Sequence, residues 1–269
     1  MATPTTPAGR AAAPTATPQR MVELRILRQD KPAGTAGATP RWEEFSVPYR
    51  QGMNIISCLQ AIQRNPVNKA GQPTQPVVWE SNCLEEVCGA CTMVINGKVR
   101  QACSALVDNL TQPISLEPCH TFAVVRDLIV DRSRMFETLK KIKGWVPIDG
   151  TYDLGPGPKM NEADRQISYV LSTCMTCGAC LEACPNVNDS TPFIGSFALN
   201  QVRLFNSHPT GAMIAEERLE ALMDEGGIGY CDNDQNCVRV CPKGIPLTDS
   251  IAEMNRQVNF YAIKSILNK

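Results

Sequence analysis

The 269-residue sequence predicts an α+β chain with strands in its first half and helices in its second. Two patterns carry this reading. Apolar residues alternate with polar ones near the start, the period of a half-buried strand, and recur at helical spacing further on. A third observation sets the chemistry: the 13 cysteines fall into groups at 83–103, 174–184 and 231–241, with Cys58 and Cys119 apart.

Val22, Leu24 and Ile26 alternate with Glu23 and Arg25, which predicts a strand over 21–29. A Gly/Ala/Pro turn at 32–40 leads into "RWEEFSVPYR", its antiparallel mate. A helix-like run at 53–64, a Pro-rich connector and the first cysteine loop follow. Asn96-Gly97 is the preferred pair for a type I′ hairpin, with Thr92 to Ile95 and Val99 onward as its arms. If Ile95 pairs with Lys98, Cys91 falls opposite Ala102 and Cys103 returns beside the loop. "PISLEPC" reads as the closing strand, so the unit ends near 120. Strand, strand, helix, loop and hairpin in this order fit a β-grasp, plant-type ferredoxin-like domain over 21–120.

From 121 the pattern turns helical. "FAVVRDLIVDRSRMFETLKKI" carries Val125, Leu128, Ile129, Phe136 and Leu139 at helical spacing. "GWVPIDGTYDLGPGPKMN" reads as a surface loop and "EADRQISYVLSTC" as a helix delivering Cys174. "AEERLEALMDEGG" reads as a helix ending on Gly226-Gly227. "LTDSIAEMNRQV" has Thr248 and Asp249 as caps. Residues 121–269 are therefore predicted to be an all-α domain built around the two later cysteine runs. Residues 1–20, rich in Ala, Pro and Thr, lack the apolar core of an export signal and read as a disordered tail.

A net charge of −1 gives no electrostatic reason to expect nucleic acid, and no apolar run approaches the roughly 20 residues that cross a bilayer. An odd cysteine count without an export signal weakens a disulfide scaffold. The first group, "CLEEVCGACTMVINGKVRQAC", is C-x4-C-x2-C-x11-C, and its opening matches the plant-type pattern for a 2Fe–2S cluster held by Cys83, Cys88, Cys91 and Cys103. Small residues at Gly89 and Ala90 let backbone N–H groups approach the sulfides. Four thiolates also suit zinc, but the x4-x2 loop with a glycine between ligands favours iron–sulfur.

The second group is C-x2-C-x2-C-x3-C-P, in which three cysteines hold one cluster and the fourth reaches across to another. The third group, "CDNDQNCVRVCPKG", is its partner with Asp234 where a cysteine should stand. By exchange, Cys174, Cys177, Cys180 and Cys241 hold a 4Fe–4S cluster, and Cys184, Cys231 and Cys237 hold the other with three thiolates. That set suits a 3Fe–4S cluster. Asp234, a harder ligand, either binds a fourth iron weakly or faces water. Cys58 reads as a buried inert thiol. Cys119 beside His120 offers a conceivable nucleophilic pair, though an inert thiol is the simpler reading, and His208 reads as a loop residue.

"NCLEEVCGACTMVINGKVRQAC", "CMTCGACLEACPN" and the x5-x3 run "CDNDQNCVRVCPKG" together resemble the iron–sulfur subunits of succinate dehydrogenase and fumarate reductase, over roughly 21–265. "WVPIDGTYDLGPGPKM" and "FNSHPTGAM" look like the menaquinone-linked branch. The resemblance implies a relay. Succinate is oxidised at FAD on a flavoprotein subunit, and single electrons cross the 2Fe–2S, 4Fe–4S and 3Fe–4S clusters to quinone at a hydrophobic membrane anchor. It implies a peripheral position on the cytoplasmic face of a bacterial inner membrane, with the mitochondrial matrix side as second choice. Pro185 and Asp232 stand where the resemblance places quinone. Many members have a tryptophan shortly after that proline and a histidine or arginine at the second position; here Val187, Asn188 and Asp189 follow Pro185. Phe193, Ile194 and Phe197 read equally as core or as a docking patch for the anchor. The competing readings are a subunit of a thiol-coupled fumarate reductase, a free multicluster carrier and a structural zinc protein.

Overall fold

The computed structural model describes residues 19–147 and 158–267. Most of the expected N-terminal tail, and the middle of the expected Gly/Pro loop at 144–161, lie outside the described residues.

Alternation gives β1 (Met21–Arg28) one buried face, and β2 (Arg41–Pro48) pairs with it antiparallel from Met21↔Pro48 to Arg28↔Arg41. The hairpin β3 (Thr92–Ile95) and β4 (Lys98–Gln101) has the expected register, Ile95 opposite Lys98, with Asn96 and Gly97 both at positive φ as a type I′ turn requires. β5 (Ile114–Glu117) runs parallel to β1 and antiparallel to β3, giving a mixed sheet in the order β2-β1-β5-β3-β4. Helix α1 (Ile55–Arg64) covers it. Asn54 caps α1 by accepting from the Ser57 N–H at 2.9 Å, while Ile55, Ile56, Leu59 and Ile62 are buried with Phe45, Met93 and Leu116. Each such side chain contributes roughly 1.5–3 kcal/mol of burial.

The helix expected from 121 begins only at Ser133. Before it, β6 (Val124–Arg126) and β7 (Ile129–Val130) form a hairpin that turns at Asp127, φ +47°. The reason lies far off in sequence. Arg28 and Asp127, both fully buried, pair at 2.9 Å; Asp127 also accepts from the Gln29 and Val78 N–H groups, and Arg28 reaches Glu43. Breaking such a pair by removing one partner costs about 3–5 kcal/mol, which outweighs local helix propensity. Leu128 consequently joins the first core.

The rest is helical: α2 (Ser133–Lys141), α3 (Glu162–Ser172), α4 (Ala179–Glu182), α5 (Ser196–Ser207), α6 (Ala215–Met223), α7 (Asn236–Val240) and α8 (Leu247–Leu267). The second core includes Phe122, Leu171, Leu181, Leu222 and Met254. Phe193 and Phe197 are each 1% exposed within it, so this stretch is core and not a docking patch. Helix α6 stops at Met223, short of Gly226-Gly227; those glycines let the chain press against Pro192 and Leu222. Helix α8 starts at Leu247, which puts Thr248 and Asp249 inside its first turn and not at the cap. Among the described residues, no helix is long and apolar enough to cross a membrane.

Candidate iron–sulfur sites

The loop from Cys83 to Cys91 is wound so that backbone donors face sulfur. Leu84, Glu86 and Gly89 all have positive φ. The N–H groups of Val87, Cys88 and Glu85 donate to Cys83 Sγ at 3.2, 3.3 and 3.5 Å, and that of Ala90 to Cys88 Sγ at 3.5 Å. The Glu85 and Val87 donors hold the Cys83 thiol down to about 7. Cys91 goes the other way: burial pushes it up to about 12, and Cys103 lies against it. The hairpin makes that meeting, since the Ala102 N–H donates to the Cys91 carbonyl at 3.1 Å, and the capping Asn54 holds the Cys103 carbonyl at 2.7 Å.

Two cavities open within the helical half. Cys174, Cys177, Cys180 and Cys241 line one, with Phe197 and Leu247. Cys184, Cys231 and Cys237 line the other, with Asp234, Pro185 and Ser196. The structure thus brings together the two sets that the exchange rule names. Burial pushes Cys177 up to about 11 and raises Cys174, Cys180, Cys184 and Cys231. Such thiols favour their protons until metal displaces them. Among the described residues, no three His, Cys, Asp or Glu side chains converge as one bound ion requires. Each set of thiols lines one cavity, and this donor set fits polynuclear iron–sulfur better than lone zinc.

Gly89 has a second use that its sequence position does not reveal. A Cβ there would stand 2.7 Å from Cys177 Cβ and 2.8 Å from Cys177 Cα, so the first loop touches the second site directly. Arg132 fastens this junction by donating to the Gly89 carbonyl at 2.9 Å. Glu182, also missed in the sequence, ties the domain linker to α4. It accepts from the His120 and Thr121 N–H groups and meets His120 Nδ1 at 2.9 Å.

The remaining candidates resolve simply. Cys58 is fully buried and pushed up to about 12 by desolvation. Cys119 is buried, its thiol raised by desolvation, and its neighbour His120 is engaged by Glu182; no nucleophilic pair forms. His208 Nδ1 accepts from the Thr210 and Gly211 N–H groups and shapes a turn. Pro185 is exposed on the wall of the three-thiol cavity, and Asp232 is exposed beside Cys231.

A sheet unit with a thiol loop, joined to helices holding two thiol-lined cavities, defines a multicluster electron carrier of the ferredoxin type. Comparison with known proteins agrees. Residues 23–137 match the 2Fe-2S iron-sulfur cluster binding domain, and residues 170–245 match the 4Fe-4S dicluster domain. The succinate dehydrogenase iron-sulfur subunit of Bacillus subtilis is 63% identical over 92% of this chain and 96% of its own length. The fumarate reductase iron-sulfur subunit of Wolinella succinogenes is 27% identical over 89% and 98%. The solved Mycobacterium smegmatis Sdh1 complex in the apo form contains a chain that superimposes with a TM-score of 0.72 at 25% identity, over 89% of this chain and 96% of that one. The chain belongs to the family of succinate dehydrogenase and fumarate reductase iron–sulfur subunits.

Proposed function

We propose that this chain is the electron-transfer subunit of a succinate:quinone oxidoreductase. It would take single electrons from FAD on a flavoprotein subunit and deliver them to quinone, of the menaquinone type, at a hydrophobic membrane anchor. The observation that carries this reading is the succession of three thiol sites, the first in backbone contact with the second through Gly89 and Cys177.

Cys83, Cys88, Cys91 and Cys103 would hold 2Fe–2S on a β-grasp scaffold; Cys174, Cys177, Cys180 and Cys241 would hold 4Fe–4S; Cys184, Cys231 and Cys237 would hold 3Fe–4S. When bound, these clusters supply one-electron chemistry with potentials graded by type, charge and solvation. The protein's own contribution is threefold. Glu85 and Val87 N–H groups stabilise thiolate in the exposed loop. Apolar walls that include Phe197 and Leu247 keep water from the second site. Glycine at 89 and 195 lets neighbouring segments approach without a side chain between them. Pro185 and Asp232, both exposed, would lie at the quinone-facing rim, and the subunit would sit peripherally on the cytoplasmic face of the membrane.

A gentle affinity isolation from detergent-solubilised membranes tests the assignment. The expected result is co-purification of a large flavoprotein and a small hydrophobic chain, with succinate-dependent dye reduction. Recovery of the brown chain alone, with no flavin and no such activity, would leave a free carrier instead.

A further inference from the structure

Gln101, the last residue of β4, is 1% exposed, and Thr92, its partner across the hairpin, is 7% exposed. Polar side chains buried so deeply bond to each other or to what they cover. Here they do both. Thr92 Oγ1 lies 3.0 Å from Gln101 Oε1 and 2.9 Å from Gln101 Nε2, so both ends of the amide meet the same hydroxyl. On its other side the amide meets Cys91, whose thiol donates to Oε1 at 3.7 Å.

Counting hydrogens shows that this arrangement serves only the free thiol. The Thr92 hydroxyl gives its one hydrogen to the Gly89 carbonyl at 2.7 Å, and its oxygen accepts from Gln101 Nε2. Oε1 is then left with Cys91 as its donor. A cysteine that ligates metal does so as thiolate and has no hydrogen to give. Oε1 would face a negative sulfur in a buried site, a contact that costs free energy. Turning the amide over removes the conflict. Nε2 takes the place beside sulfur, and Oε1 takes the other place beside Thr92, whose hydroxyl swings from Gly89 to meet it. Gly89 can release that hydroxyl, because Arg132 already donates to the same carbonyl at 2.9 Å.

We infer that Gln101, held by Thr92, turns its amide N–H to Cys91 Sγ when the first cluster is in place and raises that cluster's potential. This rests on the function proposed above. Reduction adds negative charge to a cluster, and a hydrogen bond to its sulfur favours the more negative form. Backbone N–H groups already serve Cys83 and Cys88 in the exposed part of the loop. Gln101 does the same for Cys91 from the buried side. It carries no electron itself; it sets how readily the first site accepts one.

The test is Gln101→Leu and Gln101→Met in the assembled, cluster-loaded complex, with redox titrations followed by EPR. Both side chains fill the space and neither offers a donor. Each should lower the midpoint of the reduced two-iron signal by on the order of tenfold in the one-electron equilibrium, about 59 mV. The four-iron and three-iron midpoints should stay put. A merely structural role would reduce stability or iron content and leave the two-iron midpoint where it was, which overturns the inference. A fall shared by all three clusters overturns it too. If neither variant assembles, the unaltered complex decides, with its glutamines labelled with 15N at the side-chain amide. A 15N coupling on the reduced two-iron signal supports the inference, and its absence overturns it. The lack of any two-iron signal in the unaltered complex would instead refute the functional reading beneath it.

Discussion

The two halves of the helical site are copies of one backbone that differ in a single ligand. Cys174, Cys180, Cys184 and Pro185 in the first half correspond to Cys231, Cys237, Cys241 and Pro242 in the second. Thr176 and Asn233 both sit at positive φ, +50° and +60°. Gly178 and Gln235, again both left-handed, each precede a short helix, α4 and α7. Between them stands Cys177 in the first half and Asp234 in the second. The loss of the cysteine therefore did not disturb the fold of its loop.

Solvent explains why the halves diverged. A Cβ on Gly178 would come within 3.0 Å of the Phe122 ring, whereas Gln235 is exposed and has room for a side chain. Cys177 is walled by core, and a carboxylate there would be desolvated at high cost. Asp234 is exposed and can keep its charge in water. One half thus supplies a thiol at this position, and the other an exposed carboxylate.

The largest expected effect comes from removing that difference. Asp234→Cys places a thiol where the shared backbone puts Cys177 in the other half. It should convert the three-iron site to a four-iron one, with loss of the oxidised three-iron EPR signal and a gain in bound iron. Retention of the signal would mean that the two backbones are not equivalent around a cluster. Next comes the glycine. Gly178→Ala must hold a Cβ at φ +84° against Phe122 and should destabilise the chain by about 1–3 kcal/mol, read from denaturant midpoints. Its counterpart Gln235→Gly relieves a left-handed residue in open space. It should be neutral or stabilising by up to about 1 kcal/mol, since the gain is partly offset by unfolded-state entropy.

Cys58, outside both halves, gives the smallest effect. Its folded thiol is raised from 9.0 to about 12, so its contribution to stability is present below the unfolded value and lost as pH climbs towards 12. Cys58→Ala should flatten the alkaline decline in stability over that window and leave iron content unchanged. An unaltered pH profile would show that burial of Cys58 has no energetic consequence.

These comparisons also show what could be read along the chain and what could not. The Asn96-Gly97 register, the β1 alternation and the grouping of the thiols are local patterns, and the structure reproduces the local geometry each implies. The hairpin at 124–130 was hidden because its cause, the Arg28–Asp127 pair, joins residues 99 apart. Its Val125, Leu128 and Ile129 mimic helical spacing by accident. The contact of Gly89 with Cys177 was equally hidden, since it exists only once the two halves of the chain are packed. Phe193 and Phe197 were ambiguous for a simpler reason: an apolar run looks the same whether it meets its own core or a partner.

The crossed arrangement of Cys184 and Cys241 is the claim on which the three-site relay depends, and paired EPR of Cys241→Ser and Cys184→Ser complexes tests it most directly. Cys241→Ser should perturb or abolish the reduced four-iron signal and spare the three-iron one, while Cys184→Ser does the reverse. The opposite pairing, with each substitution affecting the cluster held by its own sequence run, would contradict it.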